Sequence, residues 1–401
     1  MTIISGTTIT EDLFTARHVG LGELHTLLQR QHAARHDVVV PADRLRLQGG
    51  NLIVPLPDDE PLITEAGCTC ELSLHPTHSA DGDIAAKVDI PVRYYRRMRA
   101  SAPWLLDANV NQWLAEQECR YLVRAMTDGR GGGIVRALLS DTYGIINNLD
   151  VLMAMLDGLQ QATSESGHDD ASGGAGAAGV EITSCDLTPN RMYVAVRSNR
   201  VTAMAPQLLA NYVSPFTGAR GADNPVVFGG FILANSETGK GRYTITPRLT
   251  VQVCDNGLQL EKHAIGRRHV GARMDEGQIR WSADTEQTNL ALIGKQTRDA
   301  VRAFLDPHWV AQRLAELERD AGVALPNPQE TIEHVSKQLR FTDEQQNLIL
   351  SHFISGADVT SGGVMQAVTS AAQLVRDADD AYAMESAGVE AMRLAAAHAG
   401  R

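Results

Sequence analysis

The chain has 401 residues, 43% hydrophobic and 21% charged, enough for two or three globular units with real cores. Its 48 acidic and 36 basic residues leave a net charge of −12, which excludes a uniformly basic nucleic-acid binder. No apolar run approaches the ~20 residues of a membrane span, and the first residues lack the basic-then-apolar order of a signal peptide, so a cytoplasmic protein with no membrane partner is expected.

Residues 21–36 suit a short helix. RLRLQGGNLIVPL (44–56) reads as a hairpin, with Leu45 and Leu47 on one side, a turn at Gln48-Gly49-Gly50-Asn51, and Leu52 and Val54 returning. DIAAKVDIPVRYYRRMR (83–99) predicts two short helices broken at Pro91, the second basic. Residues 103–126 are expected to be helical, since Leu106, Val110, Trp113 and Leu114 fall near helical spacing. After the glycines at 129 and 131–133, Asn148 can cap a helix with a stripe of Leu149, Leu152, Met153, Leu156 and Leu159.

The Gly/Ala/Ser-rich residues 163–179 are expected to form a flexible loop. Beyond it, Met192, Val194 and Val196 alternate as in a half-buried strand. PVVFGGFILAN (225–235) and GRYTITPRLTVQVC (241–254) flank a turn at 236–241, and Asp255-Asn256-Gly257 turns the chain into LQLEKHAI. The last third reads as helices, with capping boxes at Asp284/Gln287 and Thr342/Gln345, a break at Asp306-Pro307, and a long final helix through Val364, Val368, Ala371, Val375 and Ala378. The expected fold class is α+β: an antiparallel sheet of consecutive hairpins with flanking helices and a helical C-terminal region. The expected organisation is an N-terminal hairpin region (1–80), a helical region (81–162), the loop (163–179), a β core (180–275) and the C-terminal helices (282–401).

Charge is unevenly spread: residues 191–273 hold 11 basic and 4 acidic residues, and residues 274–401 hold 11 and 19. Such asymmetry fits a basic binding face beside an acidic assembly or shielding segment. Arg242, Arg248, Lys262, Arg267, Arg268, His269 and Arg273 recur along the hairpins, with Tyr193 and Tyr243 nearby. Cations that follow phosphates and rings that stack on bases suit single-stranded nucleic acid. Arg96 and Arg97, in the basic helix after Pro91, are further candidates, and the helix pair at 83–99 resembles a helix-turn-helix.

Other constellations carry less. The five scattered cysteines fit reduced thiols, and Cys68, Cys70, His75 and His78 are not spaced as a zinc finger, so no metal or other cofactor is expected. Asn235, Ser236 and Glu237 could hold a divalent cation or substrate, but Asn, Ser and Gly are turn formers, and Cys254 in a strand reads as a small hydrophobe rather than a nucleophile. No Ser/His/Asp triad or paired-carboxylate motif is spaced for catalysis, which favours a non-enzyme.

Several segments resemble the phage/plasmid-like protein family of unknown function. RALLSDTYGIINNLDVL (136–152) matches its pattern at Arg136, Ser140, Asp141, Tyr143 and Asn148. FILANSETGKGRYTITPRLTVQVCDNGL (231–258) matches at Asn235, Ser236, Glu237, Gly239, Cys254, Asn256 and Gly257. RRHVG (267–271), IPVRYYRRM (90–98), APWLLDANVNQWL (102–114) and MQAVTSAAQ (365–373) extend the match to roughly residues 80–385, with Gln366 where the pattern has Asn. The resemblance implies a phage or plasmid origin, and the order of sheet and helices is similar to single-strand-annealing proteins of the RecT, Erf and Redβ kind. The expected function is single-stranded DNA binding or annealing in replication or recombination, with homo-oligomers as in such proteins. Two rivals stand beside it: a duplex-reading regulator using residues 83–99, and a metal-dependent nucleic-acid-processing enzyme using Asn235, Glu237 and His269.

Overall fold

The structure is a computed structural model that describes residues 13–56, 62–64, 67–166, 179–267 and 283–400. The chain opens with β1 (Ala16–Val19), α1 (Leu21–Ala34), β2 (Arg35–Pro41) and the hairpin β3 (Arg46–Gln48) and β4 (Asn51–Pro55). A small separate hairpin, β5 (Leu62–Thr64) and β6 (Gly67–Thr69), precedes β7 (Glu71–Pro76) and three helices, α2 (His78–Lys87), α3 (Val92–Ser101) and α4 (Pro103–Ala115). β8 (Arg120–Thr127), β9 (Gly132–Ser140) and α5 (Asn148–Ser166) follow. The next strands are β10 (Val180–Leu187), β11 (Met192–Met204), β12 (Val226–Asn235), β13 (Tyr243–Val251), β14 (Gly257–Gln259) and β15 (Ile265–Arg267). The chain ends in α6 (Ala283–Phe304), α7 (Pro307–Ala321), α8 (Pro328–Leu339), α9 (Asp343–Gly356), α10 (Ser361–Ala372), α11 (Ala378–Ser386) and α12 (Gly388–Ala399).

The fold is α+β with a helical C-terminal region. One sheet is seven-stranded and antiparallel, in the order β1-β10-β11-β12-β13-β14, with β15 also on β13. Alternation along β11 decides its two faces. Met192, Val194 and Val196 point into the main core with Phe231, Leu233, Ile245 and Leu249, beneath α5, α6 and α7. Tyr193 and Ala195 point the other way, where Ala378 and Tyr382 of α11 meet them.

The second sheet is six-stranded, in the order β2-β8-β9-β7-β4-β3, and is mixed because β7 and β9 run parallel. Helices α2, α3 and α4 cover it, burying Ile84, Tyr95, Met98 and Leu106. The hairpin at its edge turns where expected: Gln48 pairs with Asn51, and Gly49 and Gly50 hold φ of 61° and 79°, the positive values a two-residue turn of this kind demands. This sheet joins strands of residues 35–76 to strands of residues 120–140, so the expected break at residue 80 falls inside one sheet.

Two expectations need correction. Helix does not continue from 103 to 126: α4 stops at Ala115, and residues 120–127 form β8. Six consecutive β8 residues are buried, because the strand is central and covered on both faces, and such a continuous pattern has no period to separate it from a helix. The long final helix is instead three short ones, α10 to α12, folded into a bundle around Val364, Val368, Ala371 and Ala395. The capping box at Thr342 and Gln345 is formed, and Asp306 accepts the Trp309 N–H at 2.9 Å to start α7.

Helices α5 and α6 cross closely where a Cβ on Gly158 would lie 2.3 Å from the Gly294 carbonyl oxygen. Gly158→Ala should therefore push the two helices apart and cost about 1–3 kcal/mol, although alanine is the better helix former. Thermal denaturation checks this, and a raised midpoint would show that the crossing has room to spare.

Candidate nucleic-acid interface

The hairpin residues proposed for nucleic-acid contact do not form one exposed track. Tyr243 is fully buried in the main core, on the face of β13 opposite the outer surface, so its ring cannot stack on a base. Arg248 points to the outer face, but its Nε and Nη2 donate to both carboxylate oxygens of Glu385 at 2.8 and 2.7 Å. Arg242 and Lys262 are exposed. Arg267 lies on β15 beside Tyr243, while Arg268, His269 and Arg273 lie outside the described residues. Tyr193 is buried under α11, where its ring stacks on Tyr382 with centroids 4.0 Å apart.

The motif residues converge inside the protein. Arg136 on β9 donates to Glu237 Oε2 at 2.5 Å, and the Asn148 N–H at the start of α5 donates to Glu237 Oε1 at 2.6 Å. Arg124 on β8 donates to the Glu237 carbonyl oxygen at 2.7 Å, and also to Asp37 and Asn147. Asn235 donates to Asn148 Oδ1 at 2.8 Å, and the Tyr143 hydroxyl donates to the Ser236 carbonyl oxygen at 3.2 Å. Gly239, at φ 73°, lets the turn pass Leu139, whose side chain a Cβ there would meet at 2.8 Å. Burial alone would raise the Glu237 carboxyl, but the Arg136 and Arg124 guanidinia and the Asn148 N–H outweigh it and hold the group at about 2. This is a buried tie between the turn after β12 and the other sheet. Ser140 and Asp141 sit at its solvent edge, where the Ser140 hydroxyl bonds that of Thr142.

A second motif group docks the C-terminal bundle. Asn256, in the turn before β14, donates to Ser370 Oγ at 2.7 Å and to Gln366 Oε1 at 3.1 Å, and Gln373 donates to Asn256 Oδ1 at 2.6 Å. Gly257 leaves room for the Arg248 guanidinium, whose Nε would lie 2.0 Å from a Cβ at that position.

These placements bear on the catalytic and metal readings. Asn235 and Glu237 are buried and bonded within the protein, so they do not form an open cation site, and the third residue of that rival, His269, lies outside the described residues. Burial pushes the Cys254 thiol up to about 11, far from a reactive thiolate at neutral pH. His75 has both ring nitrogens engaged, by Asn51 at 3.2 Å and Arg99 at 3.0 Å. Among the described residues no group of three or more His, Cys, Asp or Glu could hold a metal ion.

The α2–α3 pair forms as expected around Pro91, and its arginines divide into two kinds. Arg96 donates to the His78 carbonyl oxygen at 2.7 Å, and Arg99 pairs with Asp81, so both brace α3 against α2. Arg93 and Arg97 are exposed one turn apart and make no ion pair among the described residues. Tyr94 beside them is 51% exposed, and Trp104, in the first turn of α4, is 71% exposed. So open a tryptophan is unusual, since its large apolar area is normally covered. In the sequence, the signal for an open Trp104 is its place directly after Pro103, off the stripe of Leu106, Val110 and Leu114.

Compared with known proteins, the chain shows no significant match to a family model, a curated protein or a solved structure.

The Glu237 tie has a pH signature. Its carboxyl lies below the ordinary value of 4.5 when folded, so its contribution is fully present above about pH 4.5 and is lost as the pH falls towards 2. Glu237→Gln should cost about 3–5 kcal/mol at neutral pH by leaving Arg136 without its carboxylate. It should also flatten the acid limb of a plot of urea-unfolding free energy against pH. Equal acid sensitivity in both proteins would count against the tie.

Proposed function

We propose that the protein binds single-stranded DNA through the exposed face of α3 and the first turn of α4, acting as a phage-type binding or annealing protein in replication or recombination. The observation that carries this reading is that Arg93, Tyr94 and Arg97 on α3 and Trp104 in the first turn of α4 are all exposed, the two arginines without an ion pair among the described residues. Guanidinium groups follow a phosphate backbone, while rings offer a stacking platform to any base. Arg96 and Arg99 serve the same surface indirectly, because their bonds to α2 fix the helix that presents it. Exposed Arg242 and Lys262 add attraction for phosphate elsewhere on the molecule. Annealing would bring two strands together, and assembly of several copies belongs to the same reading.

A duplex-reading regulator would use the same helix, since α3 is the second member of a short helix pair and its outer face is basic. The open tryptophan favours the single strand, because stacking needs unpaired bases.

Titration with oligothymidine, duplex DNA and RNA at several salt concentrations tests the proposal. Arg93→Ala with Arg97→Ala should reduce the slope of log affinity against log salt by about 1.4 on a single strand, roughly 0.7 for each phosphate that is no longer neutralised. Trp104→Ala should cost about 1–3 kcal/mol of binding with the slope unchanged, because stacking is not ionic. A folded protein with no affinity for single strands at low salt sinks the proposal, and tight binding confined to one duplex sequence transfers it to the helix-turn-helix reading.

A further inference from the structure

The outer face of the seven-stranded sheet carries one of the arginines singled out in the hairpins, and a helix from the acidic end of the chain lies on it. Arg197 and Arg248 stand in one row across the sheet, because Arg197 pairs with Gly230 and Gly230 with Arg248. Two strand spacings separate them by roughly 10 Å. Tyr193 shares this face, four residues before Arg197 on β11.

The sheet's own carboxylates answer two of the three guanidinium groups here. Arg17 pairs with Asp186 at 3.1 Å, and Arg197 pairs with Glu181 at 2.7 Å and Asp255 at 3.2 Å. Arg248 takes its carboxylate from α11, through the paired bonds to Glu385. One turn earlier on α11, Tyr382 stacks on Tyr193 with 12° between the ring planes, and a turn before that Asp379 accepts the Tyr193 hydroxyl at 2.8 Å.

A single strand would bring to such a face a phosphate for the guanidinium and a base for the ring. Helix α11 supplies a counterpart of each: a bidentate carboxylate on Arg248 and an aromatic ring on Tyr193. Beside it the face stays open as a cleft of about 510 Å³, reached by Arg17, Arg197 and Arg248. We propose that α11 is an internal mimic of single-stranded nucleic acid, covering a binding site for such a strand built on Arg248 and Tyr193. The helix is nine residues long and contributes few apolar side chains of its own, Ala378, Ala381 and Met384. An incoming strand threads along the cleft and exchanges with α11, so Arg248 passes from carboxylate to phosphate without being left bare. This site lies apart from the α3–α4 surface and stands independently of it.

The test loosens α11 while keeping the Arg248–Glu385 pair. Asp379→Asn with Tyr382→Ala is made both in the wild-type chain and in the Arg93→Ala/Arg97→Ala chain. Hydrogen exchange over residues 378–386 reports release, and titration with oligothymidine reports binding. The expected result is faster exchange and affinity raised about tenfold in both backgrounds, with the gain abolished by adding Arg248→Gln. Should the double variant fail to fold, Glu385→Gln is the second means of release, judged by the same two measurements. Faster exchange without a gain in affinity in either background overturns the mimic. Loss of wild-type binding in the Arg93/Arg97 variant, followed by recovery on release, would separate the two sites.

Discussion

Glu237, its carboxylate held by Arg136 and the first turn of α5 and its carbonyl oxygen by Arg124, makes the interaction on which the arrangement of the two sheets depends. Arg124 and Arg136 stand on neighbouring strands of the mixed sheet, while Glu237 begins the turn that links β12 to β13 of the other. A charge at that depth is tolerated only when paired and fully hydrogen-bonded. Arg136 and the Asn148 N–H answer the two carboxylate oxygens while Arg124 holds the Glu237 carbonyl oxygen, so the tie is formed only when both sheets and α5 are in place. Such geometry specifies one relative position of the sheets more sharply than apolar packing alone could.

The same logic explains how a chain with net charge −12 can be rich in arginine without presenting a broad basic surface. Arg124, Arg136, Arg197 and Arg248 are each engaged with carboxylates from other elements. The acidic excess of the last third is partly spent on the basic middle: Glu385 meets Arg248 across the outer sheet face, and Asp379 meets the Tyr193 hydroxyl. Among the described residues, Arg93 and Arg97 on α3 make no ion pair, and Tyr94 on the same helix and Trp104 at the start of the next are left in water.

The local signals in the sequence determined much of this protein. The Gly49-Gly50 turn, the break at Pro91, the alternation along β11, the Asp306 cap and the Thr342 capping box each concern residues close together in the chain, and each formed as its chemistry required. The α+β class followed from the same local rules. Tertiary structure alone decided which polar residues are free. Tyr243 and Tyr94 are both tyrosines beside an arginine, yet one closes the core and the other stands in solvent, because strand parity buries the first and helix phase exposes the second. Arg248 and Arg97 differ in the same way: the partner that neutralises Arg248 lies 137 residues further along the chain. No spacing rule reaches so far. Burial and pairing of charge belong to surfaces brought together by folding, and only the folded chain assigns them.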